Sequence, residues 1–290
     1  MDRMVPLLTT ERIARRSRVV IDNDWAGDPD GLVALAHHLL SPGHRVEAVT
    51  SSLLSPDFGP PAGGAAAGGA AAGASLAGRL IDLIGGHDGL RVHAGPDTPA
   101  GREERELSAA AEAIIDAARR TDPLPLVVAC GGPLTNVAEA LRAAPDIAGR
   151  MTLAWIGGAS GDAFEYNRDT DPEAARIVRR TPALVRWEFP LETYRQCAIS
   201  VAELEESLST AGRLGAWLWE RYTTLPLPEH MQVGAEWPLG DSCLLIGSAL
   251  SGESSTWTDH PDGSRTCTAI DFRFLLGDML ALFRRHARIC

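Results

Sequence analysis

Along the first two thirds of the chain, short apolar runs rich in β-branched residues alternate with segments whose apolar positions recur every three or four residues. The first pattern predicts buried strands and the second amphipathic helices. Strands are expected at Val19–Ile21, Arg45–Ser51, Leu90–Ala94, Leu126–Ala129, Met151–Ile156 and Ala183–Glu188, with helices at Gly31–Leu40, Ala74–Ile84, Ser108–Arg119, Thr135–Ala143 and Pro172–Arg180 between them. That order predicts an α/β fold of Rossmann type, a mainly parallel sheet with helices on both faces. Beyond Ser200 the pattern turns helical at Val201–Ser209 and Arg213–Tyr222. A Pro-rich loop follows from Leu225 to Pro238, then a helix from Asp241, an extended stretch around Thr266–Arg273 and a last helix to Arg288.

Residues 1–290 read as one domain, since α/β domains of this size commonly stay single; residues 1–16 form an N-terminal extension. One segment breaks the alternation. Gly59–Ala74 is almost only Ala and Gly, and interior glycines cost a helix about 1 kcal/mol each against Ala. A mobile loop that becomes helical only near Ser75 is expected.

The formal charge of −11 argues against a nucleic-acid partner, because a polyphosphate backbone would be repelled. All 27 basic residues are Arg, which removes Schiff-base chemistry and the P-loop lysine. The five cysteines, at 130, 197, 243, 267 and 290, include no C-x-x-C pair and suggest neither a disulfide framework nor a zinc site. No apolar run reaches membrane-spanning length and none serves as a signal h-region. A soluble cytoplasmic protein with free thiols is expected.

Candidate chemistry begins at Asp22-Asn-Asp24-Trp-Ala-Gly-Asp28-Pro-Asp30, four carboxylates directly after a strand and directly before a helix. Carboxylates that converge repel one another, and a divalent, oxygen-preferring cation such as Ca²⁺ or Mg²⁺ is what most readily holds them together. An EF-hand is set aside, because Ala26 and Val33 stand where that loop needs oxygen ligands. A plain helix cap explains Asp30 alone and leaves three acids unaccounted for. The location is apt, since ligands of parallel α/β sheets bind beyond the carboxyl ends of the strands.

These residues resemble the N-terminal Asp-x-Asp-Pro-Gly-x-Asp-Asp signature of the inosine–uridine preferring nucleoside hydrolases, in a divergent Gly-Asp-Pro-Asp form. Three further stretches are similar to that family in the same order: Cys130-Gly-Gly-Pro-Leu-Thr135-Asn136, Phe164-Glu165-Tyr166-Asn167 followed by Asp171-Pro-Glu-Ala-Ala, and Trp237-Pro-Leu-Gly240-Asp241. The resemblance implies a nucleoside hydrolase-like fold and Ca²⁺-dependent hydrolysis of the N-glycosidic bond of a ribonucleoside, giving ribose and free base. It implies Asp24, Asp30, Asp241 and a backbone carbonyl, at Cys130 or Gly131, as metal ligands. It further implies Asp24 as the base for the attacking water, Asp28 and Asn167 on ribose hydroxyls and Glu165 on the 5′-hydroxyl. Asp22 would orient a metal ligand or the following turn. A homo-oligomer, dimer or tetramer, with a role in purine or pyrimidine salvage, is the corresponding expectation.

The departures lie on the leaving-group side. Gly240 stands where the family has a histidine, and Ser51-Ser52 where an asparagine is usual. Trp237 is the expected contact for the base, with Trp25 and Trp257 nearby in sequence to the site segments, and His230 is the remaining titratable candidate. Thr135 reads as a helix N-cap. Alternatives are a hydrolase of another pentose-like glycoside and a non-catalytic metal- and sugar-binding relative; retention of a base among the acids favours an enzyme. Phosphatase chemistry, which shares the Asp-x-Asp, is disfavoured by the absence of Lys.

Overall fold

The structure is a computed structural model, and it describes residues 13–27, 29–55, 69–101, 106–225 and 234–289. An eight-stranded sheet holds β1 (Ser17–Asn23), β2 (His44–Ser51), β3 (Val92–Ala94), β4 (Leu126–Cys130), β5 (Met151–Ile156), β6 (Val185–Phe189), β9 (Ser255–Asp259) and β10 (Arg265–Ile270), in the order β3-β2-β1-β4-β5-β6-β10-β9. Every pairing is parallel except β10 with β9. Two short strands, β7 (Ala198–Ser200) and β8 (Glu236–Pro238), form a separate antiparallel pair.

The central strand β1 is buried along its whole length, and its centre is the apolar run Val19–Ile21 expected of a strand covered on both faces. Its side chains alternate. Val19 and Ile21, with Val127, Ala129, Ala154 and Ile156, join one core under α1 (Asp30–Leu40), α2 (Gly69–Ile84) and α11 (Phe272–His286). Val20, with Leu126, Val128 and Leu153, joins the other under α3 (Ala109–Arg119), α4 (Thr135–Ala143) and α6 (Pro172–Arg180). The remaining helices are α5 (Tyr166–Thr170), α7 (Leu191–Tyr194), α8 (Val201–Ser209), α9 (Gly212–Thr223) and α10 (Leu244–Ser248). The expected mainly parallel sheet sandwiched by helices is therefore present. Among the described residues no helix is long and apolar enough to cross a membrane.

The chain runs outward from β1 to β3 and then returns to β4 on the other side of β1. The order therefore reverses between β1 and β4, the switch point where doubly wound sheets open a crevice beyond their carboxyl ends.

Several expectations need correction. Helix α2 begins at Gly69 rather than near Ser75. Two of its glycines serve close packing: a Cβ on Gly69 would press on Leu54, and one on Gly73 would press on Ser51, the Ala26 N–H and the Trp25 side chain. Tertiary contact here outweighs helix propensity, and the Asp97 carboxylate accepts the N–H of Ala70 at 2.8 Å. Residues 59–68 of the expected loop, and His230, lie outside the described residues. The Pro-rich loop contains β8, and β9 had no expectation. Thr135 opens α4 but does not cap it; its hydroxyl donates to Asp171 at 2.7 Å, and it is Asp171 that caps α6.

Candidate active site at the strand switch point

A cavity of about 210 Å³ opens at the carboxyl ends of β1, β4 and β5, lined by Asn23, Asp24, Gly131, Ile156, Glu165, Tyr166, Asn167, Leu191, Tyr194 and Asp241. That is below the ~300–1,000 Å³ typical of sites that enclose a drug-sized ligand, and it suits a group of sugar size.

Strand alternation sorts the acids of the first motif. Asp22 follows Val20 onto the α4 face, fully buried, and accepts hydrogen bonds from Thr50 Oγ1 (2.5 Å), Asn136 Nδ2 (2.7 Å) and Cys130 Sγ (3.3 Å). Burial pushes its pKa up, and these donors pull against that. Asp22 thus ties β1 to β2, β4 and α4 and stands outside the cavity. Asp24 follows the end of β1 and reaches the cavity. Its carbonyl accepts the N–H of Gly27 at 2.7 Å, and a Cβ on Gly27 would lie 2.9 Å from Asp24 Oδ2, so glycine lets the turn pass the carboxylate. Asp28 lies outside the described residues.

Asp30 opens α1, fully buried, and does not line the cavity. Its Oδ2 accepts from the Tyr194 hydroxyl at 3.0 Å and from the Asp241 N–H at 3.2 Å. The Asp241 carboxylate enters the cavity and accepts from Asn23 Nδ2 at 2.7 Å. Cys130, at the end of β4, turns its thiol away toward Asp22 and the Gly132 carbonyl (3.2 Å). Burial and the neighbouring Asp22 hold that thiol well above its ordinary pKa, so it is no nucleophile. Gly131 is the β4 residue that borders the cavity. The expected metal set of Asp24, Asp30, Asp241 and Cys130 is thus only partly gathered: Asp24 and Asp241 share the cavity, Asp30 sits behind Asp241, and Gly131 replaces Cys130 at the rim.

The third motif forms the opposite wall. Glu165 caps α5 and accepts three backbone N–H groups, from Gly158 (2.7 Å), Asn167 (2.9 Å) and Arg168 (2.9 Å). Burial raises its pKa against those bonds. Asn167 commits both amide hydrogens, to the carbonyls of Gly131 (2.8 Å) and Ile156 (2.9 Å), while its buried Oδ1 has no partner. Trp237 is not at the cavity: it lies in β8 and meets Tyr222 edge to face at 5.5 Å. Trp25 is a core residue whose Nε1 donates to the Thr50 carbonyl at 2.8 Å, and Trp257 packs against Phe189 and Arg265.

Among the described residues no three His, Cys, Asp or Glu side chains are arranged to hold a metal ion. The cavity instead offers the carboxylates of Asp24 and Asp241, beside that of Glu165, which three backbone N–H groups hold, with the Gly131 backbone and the partnerless Asn167 oxygen. An all-oxygen set of this kind suits a hard cation that completes its six to eight ligands with water or sugar hydroxyls, so the residues present fit such an ion. Two residues that sequence reasoning passed over, Asn23 and Tyr194, line the same cavity; Asn23 stood inside the first motif, whereas nothing in the sequence flagged Tyr194.

Residues 63–257 match the family described as inosine-uridine preferring nucleoside hydrolase. The chain belongs to that family. The matched span leaves out the Asp22–Asp30 motif. An inosine-guanosine nucleoside hydrolase superposes with a TM-score of 0.70 at 17% identity, covering 92% of this chain and 98% of its own. A purine-preferring ribonucleoside hydrolase from Gardnerella vaginalis gives 0.70 at 17%, covering 94% and 100%. In Schizosaccharomyces pombe an uncharacterized protein, C1683.06c, is 30% identical over 131 residues, or 41% of this chain; the chain spans 42% of that relative's length. The nucleoside hydrolase family comprises hydrolases of N-glycosyl compounds, and the cavity at the switch point is where this member presents its carboxylates.

Proposed function

We propose that the protein hydrolyses the N-glycosidic bond of ribonucleosides, releasing ribose and free base, with calcium bound in the switch-point cavity. The observation that carries this reading is the convergence of Asp24, Asp241, Gly131, Glu165 and Asn167 on one sugar-sized cavity in a member of the nucleoside hydrolase family.

Departure of the base leaves positive charge on the ribosyl ring, so the site needs a base for the incoming water and anionic surroundings. Asp24 accepts the proton of the water that attacks C1′, while the electron pair of the breaking C–N bond leaves with the base. The Asp24 and Asp241 carboxylates stabilise the cationic sugar. Asn167 has no hydrogen left to donate, so its Oδ1 accepts from a ribose hydroxyl. Glu165, immobilised by its three N–H donors, receives the 5′-hydroxyl, and Asp28 takes another ribose hydroxyl. Asp24, Asp241 and the Gly131 carbonyl would hold the cation, which when bound supplies Lewis acidity toward water and an anchor for the diol. A homo-oligomeric enzyme of cytoplasmic nucleoside salvage is the setting that goes with this reading.

The test is incubation of purified protein with inosine, guanosine and uridine, following base by chromatography and ribose as reducing sugar. Release is expected, lost on chelation and restored by Ca²⁺. Failure of the calcium-loaded protein to cleave any of the three overturns the proposal.

A further inference from the structure

Asp241 is held at two points, by a neutral donor on its side chain and by a carboxylate acceptor on its backbone N–H. On its side chain, Oδ2 accepts from Asn23 Nδ2 at 2.7 Å, and the same Asn23 amide accepts the Asp24 N–H on Oδ1 at 2.8 Å. On its backbone, the Asp241 N–H reaches Asp30 Oδ2 at 3.2 Å, and that oxygen is also bound by the Tyr194 hydroxyl at 3.0 Å. Asn23 comes from the end of β1, Asp30 from the start of α1 and Tyr194 from the end of α7, so three separate elements fix one residue, its carboxylate through Asn23 and its backbone through Asp30 and Tyr194.

The chain makes room for both braces. A Cβ on Gly131 would lie 2.4 Å from Asn23 Nδ2 and one on Gly31 2.8 Å from it, and a Cβ on Gly240 would overlap the Tyr194 ring. Asn23 is 3% exposed, so it cannot move aside. Both side chains border the cavity.

We infer that Asn23 and Tyr194 are positioning residues that preorganise Asp241 as a ligand for a divalent cation, Asn23 by holding its carboxylate and Tyr194 by holding its backbone through Asp30. The inference rests on the proposed calcium-dependent hydrolysis for the identity of the cation. A neutral donor on one carboxylate oxygen fixes the orientation of the group and offsets repulsion from Asp24 and Asp30 before the ion arrives. Outer partners of metal ligands typically govern affinity by 10–100-fold when removed.

The experiment is calorimetric titration of Ca²⁺ into the full chain as wild type, Asn23→Leu, Asn23→Ser and Tyr194→Phe, with folding checked by circular dichroism. Tyr194→Phe retains the ring over Gly240, and Asn23→Ser covers the case in which the leucine does not fold. Each folded variant is expected to bind Ca²⁺ about 10–100-fold more weakly, with kcat on inosine recovering at saturating Ca²⁺, a recovery that general structural damage would not allow. Unchanged or tighter binding by folded Tyr194→Phe and Asn23→Ser overturns the inference and leaves the hydrolase reading standing. Wild type that cleaves inosine without binding Ca²⁺ overturns the inference together with the metal assignment. Wild type that binds Ca²⁺ and cleaves no riboside overturns the hydrolase reading alone.

Discussion

Replacing Gly131 with Ala probes the site through a single methyl group. The new Cβ would stand 2.4 Å from Asn23 Nδ2, 3.0 Å from Asn23 Cγ and 3.1 Å from Asp241 Cγ, where ordinary contact begins near 3.4 Å. Something must yield by about 1 Å, and the neighbours are a buried amide and the carboxylate it binds. Overpacking of this kind costs about 1–3 kcal/mol, and loss of the hydrogen bond to a charged group costs about 1.5–3 kcal/mol. The sum, about 2.5–6 kcal/mol, is a large part of a typical stability of about 5–15 kcal/mol, and corresponds to a drop in Tm of about 5–20 °C for a chain near this size. Because a 1 Å misplacement can reduce turnover about 100-fold, kcat on inosine should fall by that order. Gly78→Ala is the control: it lies within α2 and its Cβ would meet nothing within 4 Å, so a gain of about 0.5–1 kcal/mol is expected. Calorimetric melting and steady-state kinetics read both variants. Gly131→Ala with wild-type Tm and turnover would refute the packing of Asn23 against Asp241 and the rim of β4.

Two further outcomes follow from buried or bonded groups. His38 and His44 pack ring to ring at 5.1 Å, and burial lowers both pKa values, that of His44 to about 4. A histidine that is neutral when folded and has an ordinary pKa of 6.5 when unfolded contributes its full stability above pH 6.5 and loses it as pH falls toward 4. For His44 alone that loss is about 3 kcal/mol, so Tm measured from pH 7.5 to 4.5 should fall less steeply in His44→Gln than in wild type, and parallel curves would contradict it. On the leaving-group side, the Tyr194 hydroxyl donates its hydrogen to Asp30, the Tyr166 oxygen accepts the Ser55 N–H, and no histidine lines the cavity among the described residues. A p-nitrophenyl riboside, whose leaving group needs no proton, should therefore show a much higher kcat/KM than inosine or uridine; equal values across pH 5–9 would reveal a proton donor instead.

The sheet was legible because strands buried on both faces write themselves as apolar runs, and β5, α4, α6 and α8 run between the residues the pattern marks. The antiparallel edge was not. Strand β9 is largely exposed, and its polar, alternating residues carry little hydrophobic signal. The overlooked mark was Pro261-Asp262-Gly263, a turn sequence that closes the β9–β10 hairpin with Gly263 at φ +81°. Within the site, Asp24, Glu165, Asn167 and Asp241 were readable as chemistry-bearing residues within motifs. Cys130 and Asp22 were harder to place, since their side chains fall on the α4 face by strand alternation, one register step from the cavity. Trp237 was misplaced as a base contact because composition alone cannot tell a rim aromatic from one that packs on Tyr222. Tyr194 was invisible: only the overlap of its ring with a side chain at position 240 explains why glycine precedes Asp241.

The central claim is that Asp24 serves as the base for hydrolysis in this cavity. The measurement is single-turnover and steady-state release of hypoxanthine and ribose from inosine by wild type and Asp24→Asn, both loaded with Ca²⁺. The amide can still offer an oxygen to the ion but cannot take the water's proton, so kcat should fall by about 100-fold or more while the variant still binds Ca²⁺. Turnover by Asp24→Asn close to that of wild type would contradict the account at its base.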